Sequence, residues 1–338
     1  ELKTGNRTIF SSKLREALQT HLSAGRQAIL FLNRRGFSSF VLCRECGLVL
    51  SCPNCDLALT YHLENNSLTC HYCDYQVMAP SKCPRCRSQY IKHFGIGTER
   101  IETEVLANFP DVKTLRMDID TTRRKNAHQK IFDKFRQHKA DILIGTQMVA
   151  KGLDIPNVTL VGVVTADTSL NIGDFRAYEK TFQLLTQVSG RAGRGDYPGE
   201  VVVQTYTPDH YSISCAKEHD YLTFFAKESH FRKRAVYPPY VVLAQVLWEA
   251  ENENKTRDAM LATSQLLLPI LPDSLEIIRR GPAPLKRLRR LYRYNLLFRA
   301  REWEPLAIFL RDKSAMIEEI AKSYQTTVQI RIDPSSVL

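Results

Sequence analysis

Ile142-Leu143-Ile144-Gly145-Thr146-Gln147-Met148-Val149-Ala150-Lys151-Gly152-Leu153-Asp154-Ile155-Pro156 decides the fold. An apolar run suited to a buried strand ends in Gly-Thr-Gln, and a helical turn then leads to Lys-Gly-x-Asp. Polar residues at the carboxyl end of a parallel strand sit where open α/β sheets bind ligands.

Working outward, further strands are expected at 28–32, 90–94, 112–117, 158–164 and 201–204. Helices are expected at 13–24, 99–108, 124–136 and 178–190. Strands alternating with helices at this spacing imply a parallel sheet covered on both faces. Downstream, Gln187-Val188-Ser189-Gly190-Arg191-Ala192-Gly193-Arg194-Gly195 closes a helix. Its two arginines, three residues apart, share one face, and guanidinium forks suit phosphate oxygens.

A cysteine-rich stretch interrupts this pattern. Eight of the nine cysteines fall as Cys43-x-x-Cys46, Cys52-x-x-Cys55, Cys70-x-x-Cys73 and Cys83-x-x-Cys86. Two such pairs complete one closed tetrahedral zinc site, so eight thiolates match two ions. Disulfides and iron–sulfur ligation are the competing readings; nothing in the sequence suggests export, and the regular four-pair pattern favours zinc. Residues 57–61 and 67–69 read as a hairpin, which makes Cys52, Cys55, Cys70 and Cys73 natural partners. Cys43, Cys46, Cys83 and Cys86 then close the neck, although spacing alone equally permits pairing the first pair with the third. His62 and His71 read as surface or packing residues, and Cys215 as a small core hydrophobe. Across 43–90, Arg44, Lys82, Arg85 and Arg87 are balanced by Glu45, Asp56, Glu64 and Asp74. The insertion is therefore neutral, suited to protein contact or to base stacking by Tyr61, Tyr72 or Tyr75.

The 338 residues carry 47 Lys+Arg against 36 Asp+Glu, a formal net charge of +11. Arg279, Arg280, Lys286, Arg287, Arg289, Arg290, Arg293, Arg299 and Arg301 cluster with no acidic residue among them. This is the footprint of a polyanion partner. It falls in a separate C-terminal unit, with strands expected at 241–248, 275–278, 291–298 and 327–332 and helices at 255–267 and 306–321, a split βαβ order. No run of about 18 apolar residues occurs to span a membrane. Glycines 95 and 97 do not complete a dinucleotide fingerprint, since Arg100 stands at the third position. Asp118 and Asp120 read as a strand-end turn rather than a metal pair.

The stretches 142–156 and 187–194 resemble motifs V and VI of the second, RecA-like motor lobe of a superfamily 2 helicase. Phe94-Gly95-Ile96-Gly97-Thr98-Glu99-Arg100-Ile101-Glu102, Arg116-Met117-Asp118-Ile119-Asp120, Asp174-Phe175-Arg176-Ala177 and the four-pair insertion extend the likeness. Together they resemble the primosomal protein N′ (PriA) family of replication-restart helicases along essentially the whole chain. Ile172-Gly173 departs from the pattern, which leads one to expect proline beside Asp174.

The resemblance implies a motor lobe over 1–42 and 91–232, a zinc insertion over 43–90, and a C-terminal domain over 233–338 resembling a small ribosomal-protein fold. It implies Arg191 and Arg194 at the ATP γ-phosphate, either of which can serve as arginine finger, with Gln187 positioning them. Asp154 meets the ribose, while Gly152 and Gly190 allow close approach. Thr146 and Gln147 contact the tracked DNA strand, and Lys286, Arg287, Arg289 and Arg290 the forked DNA. ATP and Mg are shared with a first lobe. Single-stranded DNA-binding protein and other primosome proteins are implied partners of a monomer in the bacterial cytoplasm, at the nucleoid.

No Gly-x-x-x-x-Gly-Lys-[Ser/Thr] loop and no acidic box occur in the chain. Glu1-Leu2-Lys3-Thr4 reads as the start of a fragment with the first motor lobe upstream, so the chain alone is expected to hydrolyse no ATP. The competing readings are a non-enzymatic zinc-ribbon nucleic-acid binder and a zinc hydrolase. The hydrolase fails because four thiolates per ion leave no open coordination position.

Overall fold

The computed structural model describes residues 6, 8–32, 39–63, 65–94, 97–118, 121–122, 127–146, 155–190 and 197–334. Helix α1 (Ser12–Ser23) starts where Ser11 accepts a hydrogen bond from the Leu14 amide, and it ends before Gly25 in the left-handed region. It feeds β1 (Gln27–Leu32), every residue of which is buried. Strands β7 (Thr114–Met117), β8 (Ile142–Gly145), β9 (Val158–Thr165) and β10 (Glu200–Val203) complete a parallel sheet of order β10-β9-β1-β8-β7.

Both faces of that sheet are covered, which is why its inner strands β1, β8 and β9 are buried throughout and lack polar alternation. Ala28, Leu30 and Leu32 pack toward α1 and α2 (Thr98–Asn108) through Leu14, Leu18, Ile101 and Val105. Ile29 and Phe31 pack on the other side. There they share a core with Phe135 of α3 (Ala127–Arg136) and with Phe182, Leu185 and Val188. The last three lie on α5 (Ala177–Ser189), which follows the short α4 (Asp167–Leu170). Helices α6 (Tyr211–Lys217) and α7 (Tyr221–Arg234) close this side, with Cys215 in the core as its isolation suggests.

His210 caps α6, its Nδ1 accepting from the Ser212 amide at 3.2 Å, and its ring stacks on Tyr211. Burial lowers its pKa to about 4. A histidine held neutral in the fold contributes stability above its unfolded pKa and loses it as pH falls from that value toward the folded one. Between pH 7.5 and 5.5 this costs about 1.4 kcal/mol. His210→Asn keeps an N-capping acceptor without the titration, so urea denaturation of variant and parent at the two pH values is expected to show that difference. Equal pH responses refute the assignment.

The inserted module is an antiparallel sheet of order β5-β4-β3-β2-β6. Its strands are β2 (Ser39–Cys43), β3 (Thr60–His62), β4 (Ser67–Thr69), β5 (Gln76–Met78) and β6 (Ile91–Phe94). The expected hairpin forms as β3 and β4. The strand expected at 90–94 lies here instead of in the parallel sheet. It pairs antiparallel with β2 from Phe40 to Cys43, because the two chain segments that enter and leave the insertion meet at its neck.

The C-terminal unit runs β11 (Val242–Ala250), α8 (Glu253–Leu267), β12 (Leu275–Leu288), β13 (Leu291–Ala300), α9 (Trp303–Ser323) and β14 (Thr327–Ile332), with order β12-β13-β11-β14. This is the expected split βαβ sheet. Trp248, Phe298, Leu310 and Ile317 fill the face beneath the helices. Leu243 and Leu297 point to the other face and join a core with Phe175, Tyr237 and the cysteines. The parallel-sheet lobe, the cysteine-rich module and the C-terminal unit thus share one apolar cluster.

Candidate metal centres and motor-lobe sites

Each Cys-x-x-Cys pair folds into the same knuckle. The amide of the residue after the second cysteine donates to the carbonyl of the first: Gly47 to Cys43 at 2.9 Å, Asp56 to Cys52 at 3.0 Å, Asp74 to Cys70 at 3.0 Å and Arg87 to Cys83 at 2.9 Å. Those four residues take φ of 73°, 55°, 58° and 62°, all left-handed. The amides of Cys43, Cys52, Cys70 and Cys83 then donate to the carbonyls of Leu48, Leu57, Tyr75 and Ser88, each at 2.8 Å.

These knuckles bring the sulfurs together in two quartets, Cys43/Cys46/Cys83/Cys86 and Cys52/Cys55/Cys70/Cys73, each with all four sulfurs within 4.8 Å of one another. The crossed pairing is not the one formed. Sγ separations are 3.6 Å for Cys43–Cys86, 3.7 Å for Cys46–Cys83 and 3.5 Å for Cys52–Cys73. A zinc tetrahedron with bonds of about 2.3 Å has edges of about 3.8 Å, whereas a disulfide needs about 2.05 Å. Geometry and donor set fit zinc and do not fit disulfides.

Proton sharing shows why a cation belongs there. A hydrogen bond from the Cys55 thiol lowers Cys70 to about 5 and raises Cys55, while burial raises Cys52 to about 12. Four adjacent thiolates repel one another, and a divalent ion replaces the shared protons.

Gly47 shows how closely the first knuckle meets the motor lobe. A Cβ there would lie 2.8 Å from the Tyr206 carbonyl oxygen, on a left-handed backbone. Gly25 has a similar φ but nothing within 4 Å. Gly47→Ala is therefore expected to cost about 2–3 kcal/mol and Gly25→Ala about 1 kcal/mol in denaturant melts. Equal costs refute the close approach. Beside this contact lies a cavity of about 610 Å³, lined among others by Lys13, Arg44, Arg100, Asp167 and Tyr206. Asp167 is buried and its pKa is raised by that burial. Its carboxylate holds the loop after β10, accepting from the Thr205 hydroxyl at 3.2 Å and the Tyr206 amide at 3.1 Å.

The motor-lobe residues singled out by sequence are placed as follows. Thr146 follows β8 at its carboxyl end, its amide donating to Met117 O. Asp118 lies at the adjacent strand end and accepts from the Thr98 hydroxyl and the Thr121 amide, the turn role expected of it. Gln187 is exposed on the last turn of α5, and Gly190 caps that helix. Gln147, Gly152, Asp154, Arg191 and Arg194 lie outside the described residues.

Asp174-Phe175-Arg176 forms the junction. Asp174 pairs with Lys180 at 3.3 Å, Phe175 stacks on Tyr237 at 5.5 Å, and Arg176 donates to the Pro334 carbonyl at 2.9 Å. In place of the expected proline, Gly173 lets the loop sit where a Cβ would be 3.2 Å from the Ala58 carbonyl oxygen of the zinc module. Tyr237 is fully buried and donates to the Cys55 carbonyl at 2.8 Å.

Two expectations are corrected. Tyr72 is no surface stacker. It is buried edge-on against Tyr237 at 4.9 Å because the module docks there. Nor is the basic stretch a uniform anion surface. Arg279 is buried with its side chain 1% exposed; it donates to Asp74 at 2.9 Å and to the His71 carbonyl at 2.8 Å. Lys286, Arg293 and Arg299 pair with Glu253, Glu249 and Glu276, acidic partners that lie outside the run in sequence. The cluster does sit on the β12–β13 hairpin. Arg289 and Arg290 turn its tip with φ of 51° and 73°, and Arg287 lies over the Tyr292 ring at 4.9 Å. His71, expected at the surface or in packing, is buried beneath Arg279.

Three family models match the chain: the helicase conserved C-terminal domain over 88–196, the PriA DNA helicase Cys-rich region over 52–77, and the primosomal protein N C-terminal domain over 233–335. The chain is 46% identical over 329 residues to the replication restart protein PriA of Bacillus subtilis, covering 97% of this chain and 40% of that protein. It is 44% identical over 341 residues to PriA of Synechocystis, covering 100% and 40%. To PriA of Treponema pallidum it is 36% identical over 330 residues, covering 98% and 50%. It thus spans two fifths to half the length of these relatives. No helix among the described residues is long and apolar enough to cross a membrane. Matched along nearly all its length and by three models in one order, the chain belongs to the replication restart protein PriA family.

Proposed function

We propose that this chain works as the second motor lobe, zinc module and C-terminal domain of an ATP-dependent 3′→5′ DNA helicase. That helicase recognises stalled replication forks and assembles the primosome for restart. The observation that carries the reading is the order of the three matches on one chain, with a four-knuckle module set into a RecA-like lobe. The proposed division is 1–42 with 91–232 for the lobe, 43–90 for the module and 233–338 for the C-terminal domain.

In this reading each quartet holds one zinc ion. The ions fold the module and take no part in the reaction. Arg191 and Arg194 meet the γ-phosphate of an ATP–Mg held between two lobes, and Gln187 orients them. Asp154 meets the ribose, with Gly152 and Gly190 giving close approach. Thr146 and Gln147 grip the backbone of the tracked strand. The tip of the β12–β13 hairpin (Lys286, Arg287, Arg289 and Arg290) meets forked DNA, and its electrostatic pull is weaker than nine unpaired cations would give. Single-stranded DNA-binding protein and primosome proteins are the further partners, and the protein acts as a monomer in the bacterial cytoplasm at the nucleoid.

The test is ATP-driven unwinding of a fork by the full-length protein, set beside ATP hydrolysis by residues 1–338 alone. Unwinding by the former and no turnover by the latter are expected, because these residues contain no phosphate loop. Robust turnover by residues 1–338 overturns the reading. A full-length protein that binds DNA but hydrolyses nothing favours a non-enzymatic binder.

A further inference from the structure

The two quartets are packed unequally. Of the first, Cys46 is half-buried and Cys86 exposed, as is the knuckle around Cys86 (Lys82, Pro84, Arg85, Arg87). Its other knuckle touches the motor lobe through Gly47. Of the second, only Cys73 is half-buried. Both its knuckles are clamped from outside the module. Tyr237 donates to the Cys55 carbonyl and covers Tyr72, and Arg234 pairs with Asp56 at 3.4 Å. Arg279 binds the carboxylate of Asp74 and the carbonyl of His71, and also donates to Pro282 O within its own strand. The Arg280 amide adds a bond to Asp74 at 3.3 Å.

Asp74 holds the left-handed position that shapes the Cys70–Cys73 knuckle, so the residue that forms the metal site is also the one the C-terminal domain grips. The clamp and the ion therefore stabilise the same backbone conformation, and each raises the occupancy of the other by linkage.

We propose that the quartets divide the labour: Cys52/Cys55/Cys70/Cys73 is the lock that fastens the C-terminal domain to the module, and Cys43/Cys46/Cys83/Cys86 is the site that exchanges its ion with solvent. The proposal rests on the reading that both quartets hold zinc, which metal analysis of the purified chain checks first. Two ions per chain are expected, and none would defeat that reading separately.

A chromogenic chelator, 4-(2-pyridylazo)resorcinol, then times their release. One equivalent is expected to leave at least tenfold faster than the other. Cys86→Ser should abolish the fast phase and leave both the slow ion and the protease resistance of 237–334 intact. Arg279→Ala, with all eight ligands present, should speed the slow phase at least tenfold and expose the 235–241 segment to protease. Should Arg279→Ala fold poorly, Asp74→Asn keeps the left-handed backbone while removing the charge, and should accelerate the slow phase in the same direction. Release of both ions at one rate overturns the proposal, as does loss of the slow phase in Cys86→Ser. A slow phase indifferent to Arg279→Ala or Asp74→Asn does so too.

Discussion

Stripping both ions with a strong chelator is expected to unfold residues 43–91 outright, because the sulfurs are themselves the core of the module. Its strands β3, β4 and β5 have three residues each, and Cys43, Cys52, Cys55, Cys70 and Cys83 make up much of its buried interior beside Leu57, Leu59 and Leu68. A structure this small buries too little apolar surface to hold its backbone. Three of the four knuckles also place a residue other than glycine in the left-handed region, at about 1 kcal/mol each. Zinc–thiolate bonding, about 10–16 kcal/mol per ion, overwhelms these costs. Protease digestion and hydrogen exchange before and after chelation, with metal loss confirmed, measure the effect. Unchanged protection over 43–91 in the metal-free chain refutes it. Since this core continues into Phe175, Tyr237, Leu243 and Leu297, protection at 237–243 should fall with it.

Replacing Arg194 with alanine in the full-length protein is expected to lower kcat for ATP by about 10³–10⁵ if it is the arginine finger, with less change in the KM for ATP. The asymmetry follows from where the charge acts. A guanidinium that meets the γ-phosphate as charge builds on it stabilises the transition state more than bound ATP, so the loss falls on kcat. Arg191→Ala tests the alternative, since the two arginines are three residues apart and either can serve. Fork binding by the full-length protein should survive both changes. If neither substitution costs as much as tenfold, the stretch 187–194 is not the catalytic face of the lobe.

The body of the fold was legible because its cause is local. Ala28–Leu32 and Ile142–Ile144 are continuous apolar runs, which two covered faces demand, and both became parallel strands. Cysteine spacing named the ligands, since two intervening residues are what a knuckle needs. Their pairing was open until the β3–β4 hairpin set the second and third knuckles face to face. What the sequence hid is long-range. Arg279 and Asp74 are 205 residues apart, and within its own window Arg279 looks like one more exposed cation. Tyr72 reads as a surface aromatic because its cover, Tyr237, comes from another unit. Strand β6 reads as part of the wrong sheet because so short a run, Ile91–Phe94, fits either, and only its neighbour β2 decides. Asp167 carries no motif, and its burial follows from the loop at 205–207 closing over it.

A core common to three units has a mechanical meaning. Phe175 sits just before α5, the helix whose end leads into Arg191 and Arg194, and its ring lies on Tyr237, which is bonded to Cys55. Bending there would open an apolar contact to water, so the seam resists flexing as a helix–helix contact does. A displacement of the parallel-sheet lobe at Phe175 would therefore carry the cysteine-rich module and the arginine-tipped hairpin with it as one lever, moving them further the farther they lie from the pivot.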